Sequence, residues 1–158
     1  GCRVVLVERK GRYVIIWKLP DRKRATVNAV LHLTFGGGQL VTRSLTVDND
    51  FSFRMHEEMS EIIGAPVFFC HPYHSWEKGA VEKMNQLIRR FVPKRSDISK
   101  VPEDTIRWIE GILNNKPLEC LQFKTPAEMF ARSAKLKTFV VKKMIPSYYS
   151  LTQAGWIH

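Results

Sequence analysis

The chain has 158 residues, of which 44% are hydrophobic, and these values predict one globular domain with a substantial apolar core. Lysine and arginine number 25 against 15 aspartates and glutamates, and the formal net charge of +10 favours a polyanionic partner, nucleic acid first and an anionic membrane surface second. No uninterrupted apolar run reaches the roughly 18 residues of a membrane-spanning helix, and charged residues between Arg3 and Lys10 interrupt any signal peptide, so neither is expected.

Alternating runs of β-branched, aromatic and helix-forming residues predict the elements in chain order. Strands at 4–9 and 12–19 flank Lys10-Gly11 and form a hairpin. Apolar residues at helical spacing then predict a helix at 22–35, which the glycines at 36–38 end. The later elements are predicted as a strand at 39–47, a helix at 53–65 closed by Gly64, a strand at 66–70, and helices at 77–91, 102–114 and 126–132.

This order, β-β-α-β-α-β-α-α-α, predicts a mixed α/β sheet that is flanked by helices. The last helix has a capping box, with Thr125 at the N-cap, Pro126 at the first helical position and Glu128 two residues further on. We expect a core domain at 1–132 and a basic, aromatic C-terminal tail at 133–158.

The three cysteines, Cys2, Cys70 and Cys120, are odd in number and far apart, which is typical of reduced thiols in the cytosol. Cys70 lies near His71 and His74, a grouping that could bind zinc. A closed zinc site needs four ligands, and no second Cys or His pair has a suitable spacing. We therefore expect these histidines to be loop residues.

Two carboxylates are candidates for a metal site. Asp48 directly follows the strand at 39–47, and Glu82 lies on the helix that follows the strand at 66–70. The 82 − 48 − 1 = 33 residues between them suffice to return the chain to the same end of a sheet, where functional groups of open α/β folds gather. The alternatives are a turn-forming aspartate and a surface helix charge stabilised by the helix dipole.

The helix at 77–91 has two faces. Its apolar face is predicted to pack on the sheet and consists of Val81, Met84, Ile88 and Phe91. Its opposite, polar face would suit phosphate and metal and consists of Glu82, Asn85, Gln86 and Arg89.

Four segments resemble, in order, the catalytic core of DDE transposases of the IS-thirty insertion-sequence family. They are LVERKGRYVIIWKLPDRK, SLTVDNDFSF, GAPVFFCHPYHSWEKGAVEKMNQLIRRFVPKRSDIS and LNNKPLECLQFKTPAEMF. The resemblance covers about residues 3–131. Its motifs are a D-N after a strand, a P-Y-x-S-W-x-x-G loop, and a Glu followed by x-x-N on the next helix.

The resemblance implies a ribonuclease-H-like, retroviral-integrase-like fold and metal-dependent DNA cleavage and strand transfer in transposition. Three carboxylates would hold two Mg²⁺ ions, with Mn²⁺ as a possible substitute, and Asp48 and Glu82 would be the second and third carboxylates. The implied partners are the transposon ends, target DNA and further copies of the chain, in the bacterial cytoplasm at the nucleoid.

The resemblance also implies DNA contacts on and after the helix of Glu82. The candidates are Lys83, Asn85, Gln86, Arg89, Arg90, Lys94 and Arg95. Asn85 and Arg89 would support either DNA or Glu82, and Trp76 and Gly79 would shape the preceding loop. Other basic residues, each of which could equally be a solvated surface charge, are Lys18, Arg22, Lys23 and Arg24.

One feature of the family has no counterpart in the matching segments. The family's first Asp lies on the central strand, before the hairpin, and Glu8 is a poor substitute. We therefore expect a missing strand, a gap in the sheet beside the strand at 39–47, and impaired activity. Residues 136–145 could fill the gap, although the favoured interpretation is unrelated sequence that replaced the usual ending. The alternatives are a non-catalytic DNA-binding or oligomerising remnant and, third, a Mg²⁺ nuclease of the same fold.

Overall fold

A computed structural model describes residues 2–36, 42–47, 53–69, 75–132 and 137–144. The strands in these ranges are β1 Cys2–Glu8, β2 Val14–Leu19, β3 Thr42–Val47, β4 Val67–Phe69 and β5 Lys137–Met144. The helices are α1 Arg24–Phe35, α2 Phe53–Ile63, α3 Ser75–Phe91, α4 Glu103–Asn114 and α5 Pro126–Arg132, with short 3-10 turns at Ile98–Lys100 and Glu119–Leu121. The predicted elements are thus confirmed in kind and order, and β5 is additional.

The hairpin of β1 and β2 closes through the side chain of Glu8. The strands pair antiparallel up to Val7 opposite Val14, and the amide of Glu8 donates to the carbonyl of Tyr13 at 2.8 Å. The carboxylate of Glu8 accepts hydrogen bonds from the amides of Lys10 and Gly11 in the turn. Glu8 is therefore a buried structural residue, which fits the prediction that it is a poor substitute for a catalytic aspartate.

The sheet has the order β2-β1-β5-β3-β4. Strand β5 lies between β1, to which it is antiparallel, and β3, to which it is parallel. The expected gap beside β3 is therefore filled, and the segment that fills it comes from the predicted tail. The alternative that residues 136–145 fill the gap is confirmed for residues 137–144, although it was not the favoured one, because strand pairing between residues far apart in sequence leaves no local signal.

Helices cover both faces of this sheet. Alternate residues of β1 point to opposite faces. Val4 and Leu6 share one core cluster with residues of α1 and α2, such as Leu31 and Met59. A second cluster on the other face joins odd-numbered residues of β1 to α3 and α4, and includes Val5, Val7, Met84, Ile88, Ile106 and Ile109. The molecule therefore has three layers, with α3 lying against β1 and β5.

Local capping signals in the sequence are confirmed at two helix ends. Gly64 ends α2 with φ of 65° and donates its amide to the carbonyl of Ser60 at 2.9 Å. At the start of α5, the hydroxyl of Thr125 accepts the amide of Glu128 at 3.1 Å. The carboxylate of Glu128 accepts the amide of Thr125 at 2.8 Å in return. These contacts fix where the helices begin and end.

Side chains of α4 take the place of a neighbouring strand along the sheet edge β2. The side chain of Asn114 accepts the amide of Val14 and donates to its carbonyl, both at 2.8 Å. One turn earlier, Glu110 accepts the amide of Ile16 at 2.8 Å, and Arg107 donates to the carbonyl of Ile16. The outward-facing backbone groups of Val14 and Ile16 are thus satisfied without another strand.

Candidate functional site

The carboxyl ends of β3 and β5 and the amino end of β1 form one edge of the sheet. Val47, the last residue of β3, is opposite Val141 of β5, which in turn is opposite Leu6 of β1. Asp48 directly follows Val47 but lies outside the described residues. Its role therefore stays a prediction, as does the loop placement of Cys70, His71 and His74, which are also outside them.

Glu82 lies well inside α3. The helix begins at Ser75, so Glu82 is two turns from its amino end, beyond the first turn in which the helix dipole stabilises a carboxylate. Glu82 is half-buried, and no hydrogen bond or ion pair connects it to another described residue. This position weakens the explanation of Glu82 as a dipole-stabilised surface charge.

The buried face of α3 is shifted relative to the predicted one, although Met84 and Ile88 are buried as expected. Asn85 is only 2% exposed and lies among the buried residues, whereas the sequence analysis placed it on the polar face. Phe91 is 40% exposed, packs edge to face with Trp108 at 5.5 Å between ring centroids, and does not pack on the sheet. Val92 is buried instead. The helix is rotated about its axis relative to the prediction, so that its polar flank faces the sheet.

The rotation divides the predicted polar residues of α3 into two rows. The row at the margin between α3 and the sheet comprises Glu82, Asn85 and Arg89, each three or four residues from the next. The solvent-exposed row comprises Lys83, Gln86 and Arg90, and the exposed residues Lys94 and Arg95 follow the helix. Only the second row is open to a large partner along its whole length.

The other candidate cations nearer the amino terminus contact the protein itself. Lys18 donates to the carbonyls of Ser99 at 3.0 Å and Val101 at 2.8 Å. Lys23 lies 3.9 Å from the carboxylate of Asp21, and Arg24 lies 3.3 Å from that of Glu58. Arg22 also has a contact within the protein.

Arg3 is a buried cation that sequence reasoning did not single out. It is 6% exposed, and burial, followed by the positive charge of Arg89, lowers its pKa to about 10, so that it remains charged at neutral pH. One sequence signal could have identified Arg3. It alternates with Val5 and Val7 along β1, so its side chain lies on the same face of the strand as theirs. Arg3 is opposite Met144, the last residue of β5, which places it at the carboxyl edge of the sheet.

The central strand carries no carboxylate. Residues 137–144 read KTFVVKKM, so β5 contributes only lysines as charged side chains. Within the described part of the chain, no group of three or more His, Cys, Asp and Glu side chains is arranged to hold a metal ion. The described residues alone therefore do not fit a two-metal site. Of the two predicted metal ligands, Asp48 and Glu82, they include Glu82.

The chain is similar to curated transposases over most of its length. It is 36% identical over 130 residues to the transposase of insertion sequence element IS4351 from Bacteroides fragilis, covering 82% of this chain and 40% of the relative. It is 34% identical over 132 residues to transposase InsI of element IS30C from Escherichia coli K12, covering 83% of this chain and 34% of the relative. This chain is a homologue of the IS30 transposases. No protein-family model matches it.

The fold of this IS30 transposase homologue is that of an integrase catalytic core. Its structure matches the crystallised catalytic core domain of BIV integrase with a TM-score of 0.58 at 19% identity, covering 82% of this chain and 86% of that one. The predicted ribonuclease-H-like, integrase-like fold is thereby confirmed. The chain spans 40% or less of the length of the two transposases named above. No helix in the described ranges has the length and apolar character to cross a membrane.

Proposed function

We propose that the chain is the catalytic-core portion of a transposase that cleaves DNA and transfers strands with divalent metal ions. The observation that carries the proposal is the coincidence of sequence and fold. The segment that is similar to IS30 transposases adopts the integrase-core fold, and its helix α3 holds Glu82 at the margin of the sheet. Fold alone would not specify a function, whereas the two together favour phosphoryl transfer on DNA.

The proposed metal ligands and catalytic residues are Asp48 and Glu82. Mg²⁺, with Mn²⁺ as a substitute, would stabilise the charge that develops on phosphate oxygens. The exposed cations of α3 and the turn after it, namely Lys83, Arg90, Lys94 and Arg95, would contact the DNA backbone, and Gln86 would add a neutral contact. Asn85 and Arg89 would act at the margin of α3, closer to Glu82.

We expect weak activity from this chain, because β5 fills the central position with a strand that has no carboxylate. The same observation supports a second candidate function, a non-catalytic DNA-binding or oligomerising form that joins complete transposase. Both candidates have transposon ends and target DNA as partners, a homo-oligomer as the working assembly and the bacterial nucleoid as location.

Plasmid nicking and duplex binding, measured on the same preparation, test the proposal. We expect binding that weakens steeply with salt, and slow nicking of supercoiled plasmid in Mg²⁺ or Mn²⁺ but not in EDTA. Glu82→Gln and Asp48→Asn should reduce nicking to background and leave binding intact. The control Glu61→Gln, on the exposed side of α2, should leave both nicking and binding unchanged. Binding without nicking would support the second candidate, and absence of both would overturn the proposal.

A further inference from the structure

The outward side of α4 carries a large apolar side chain that the described residues leave uncovered. Trp108 is 58% exposed, and Phe91 of α3, which is also exposed, packs edge to face against it. The inward side of α4 is buried in the core through Ile106 and Ile109. Two neighbouring aromatic rings therefore form an apolar patch on the surface, and aromatic residues are enriched where proteins bind each other.

Gly111 leaves an open notch one helical turn after Trp108. It lies inside α4, where glycine destabilises a helix relative to alanine. A Cβ atom at Gly111 would meet nothing within 4 Å beyond its own stretch of helix backbone, so packing among the described residues does not require glycine there. Close approach by another molecule is a physical reason for a glycine at such a position.

Trp108 and Gly111 are complementary to each other in shape. They lie three residues apart, so they are neighbours on one side of the helix, about 4.5 Å apart along its axis. When two copies of α4 pack antiparallel about a twofold axis, each Trp108 can lie over the Gly111 of the other copy. A surface that contains both the protrusion and the notch fits a second copy of itself.

The charges at the two ends of α4 suit the same antiparallel arrangement. Its first turn carries the exposed residues Glu103 and Asp104, and the exposed residue Lys116 follows its last turn. Antiparallel packing places the acidic start of one helix beside the basic end of the other. Helix α4 itself contains three carboxylates and one arginine, whereas the whole chain has a net charge of +10, so this side allows two positively charged molecules to approach.

We propose that the outward side of α4 binds the same side of a second copy of the chain, with Trp108 of each copy over Gly111 of the other. The contact consists of one three-turn helix and the neighbouring Phe91, which is less than a permanent dimer buries. We therefore expect a weak dimer that forms as the concentration rises. The proposal specifies one contact of the proposed homo-oligomer, and its role in transposition rests on the proposed function.

Sedimentation equilibrium of the full chain, from micromolar to submillimolar concentration, measures this dimer. Trp108→Ala removes the protrusion and Gly111→Gln fills the notch, so each should raise the Kd of the dimer about tenfold or more. Leu33→Ala is the matched control, because Leu33 is an apolar side chain that is 72% exposed on α1, and its loss should leave the Kd unchanged.

Gly111→Gln also separates association from folding. Glutamine favours the helix more than glycine does, so this variant should raise the melting temperature of the monomer while it weakens the dimer. A glycine with a purely structural role would give a lower melting temperature instead.

An exchange of charges tests the antiparallel orientation. Asp104→Lys alone and Lys116→Glu alone each create two like-charge contacts per dimer, which should weaken self-association about fivefold at low salt. An equimolar mixture of the two variants should restore the wild-type affinity, because opposite charges then meet at both ends of the helix pair. Variants that only destabilise α4 would not rescue each other in this way.

The outcomes separate the dimer from the proposed function. A chain that stays monomeric, or a dimer that Leu33→Ala weakens as much as Trp108→Ala does, would overturn self-association through α4. DNA affinity that falls with Trp108→Ala in a monomeric chain would assign this side of α4 to DNA instead. A monomeric chain that still binds and nicks DNA would leave the proposed function standing. A chain that dimerises as expected but neither binds nor nicks DNA would overturn the proposed function and leave the dimer standing.

Discussion

At the scale of single residues, Glu110 shows how burial and hydrogen bonding oppose each other on one carboxylate. Burial is the larger effect and raises the pKa of Glu110 above its ordinary value of 4.5. The hydrogen bond from the amide of Ile16 and the charge of Arg107, 2.8 Å away, act in the opposite direction without cancelling it. The folded state therefore takes up a proton at Glu110 at higher pH than the unfolded state does.

This difference in pKa predicts how the stability of the fold depends on pH. Ionisation of Glu110 in the folded state lowers the free energy of unfolding. This loss of stability is absent below the unfolded pKa near 4.5 and is complete above the raised pKa of the folded state. Urea unfolding of the wild type and Glu110→Gln at a series of pH values isolates this contribution. The free energy of unfolding of the wild type should improve relative to the variant as the pH falls through that window. A difference that stays constant, or that moves the other way, would contradict the prediction.

At the scale of elements, α4 stabilises the edge strand β2 by supplying hydrogen bonds that a strand would otherwise provide. Asn114 satisfies both backbone groups of Val14, although the two residues are separated by 100 positions in sequence. The same contacts hide the edge of the sheet from pairing with a second molecule. Helix and strand are thus held in register by side chains and not only by apolar packing.

Neighbouring asparagines on α4 give a matched test of this link. Asn114→Ala leaves the amide and carbonyl of Val14 buried without partners, which should lower the free energy of unfolding by about 2–4 kcal/mol. Asn115→Ala removes an exposed contact to the carbonyl of Gly111 and should cost less than about 1 kcal/mol. Urea denaturation of both variants measures the two values. Equal losses would show that the strand edge does not depend on Asn114.

The elements could be predicted from the sequence better than their contacts. Runs such as VIIWKL and the capping box at Thr125 are local signals, so the sequence predicts every described strand and helix except β5. The rotation of α3 was not predictable from the helix alone, because the sheet against which it packs decides which arc is buried. Asn85 and Phe91 therefore exchanged environments relative to the prediction.

At the scale of the whole molecule, β5 holds the two halves of the sheet together. It joins the β2–β1 hairpin on one side to β3 and β4 on the other. The sequence indicated that residues 136–145 could form a strand there, but nothing local distinguished that position from an edge or an unrelated tail. Its location was the least predictable part of the fold and the part on which the carboxyl edge depends.

A proline in β5 tests its central role. Val141→Pro removes a backbone donor from a strand that has neighbours on both sides, and should destabilise the fold by about 3 kcal/mol or more. Val141→Ile keeps the donor and should change little. Far-ultraviolet circular dichroism during urea unfolding measures both. Hydrogen exchange offers a second readout, since amides at 138–144 should be protected to the same degree as those of β1, and rapid exchange there would contradict the structure.

The position of β5 also determines the order in which the chain can complete its fold. Arg3 and Met144 are opposite each other across 144 − 3 = 141 residues of sequence. During synthesis, the inner edges of β1 and β3 therefore remain unpaired until residues 137–144 have been made. Such long-range pairing slows folding and leaves strand edges open to other molecules in the meantime. The newly made protein is consequently most vulnerable to aggregation just before β5 joins the sheet.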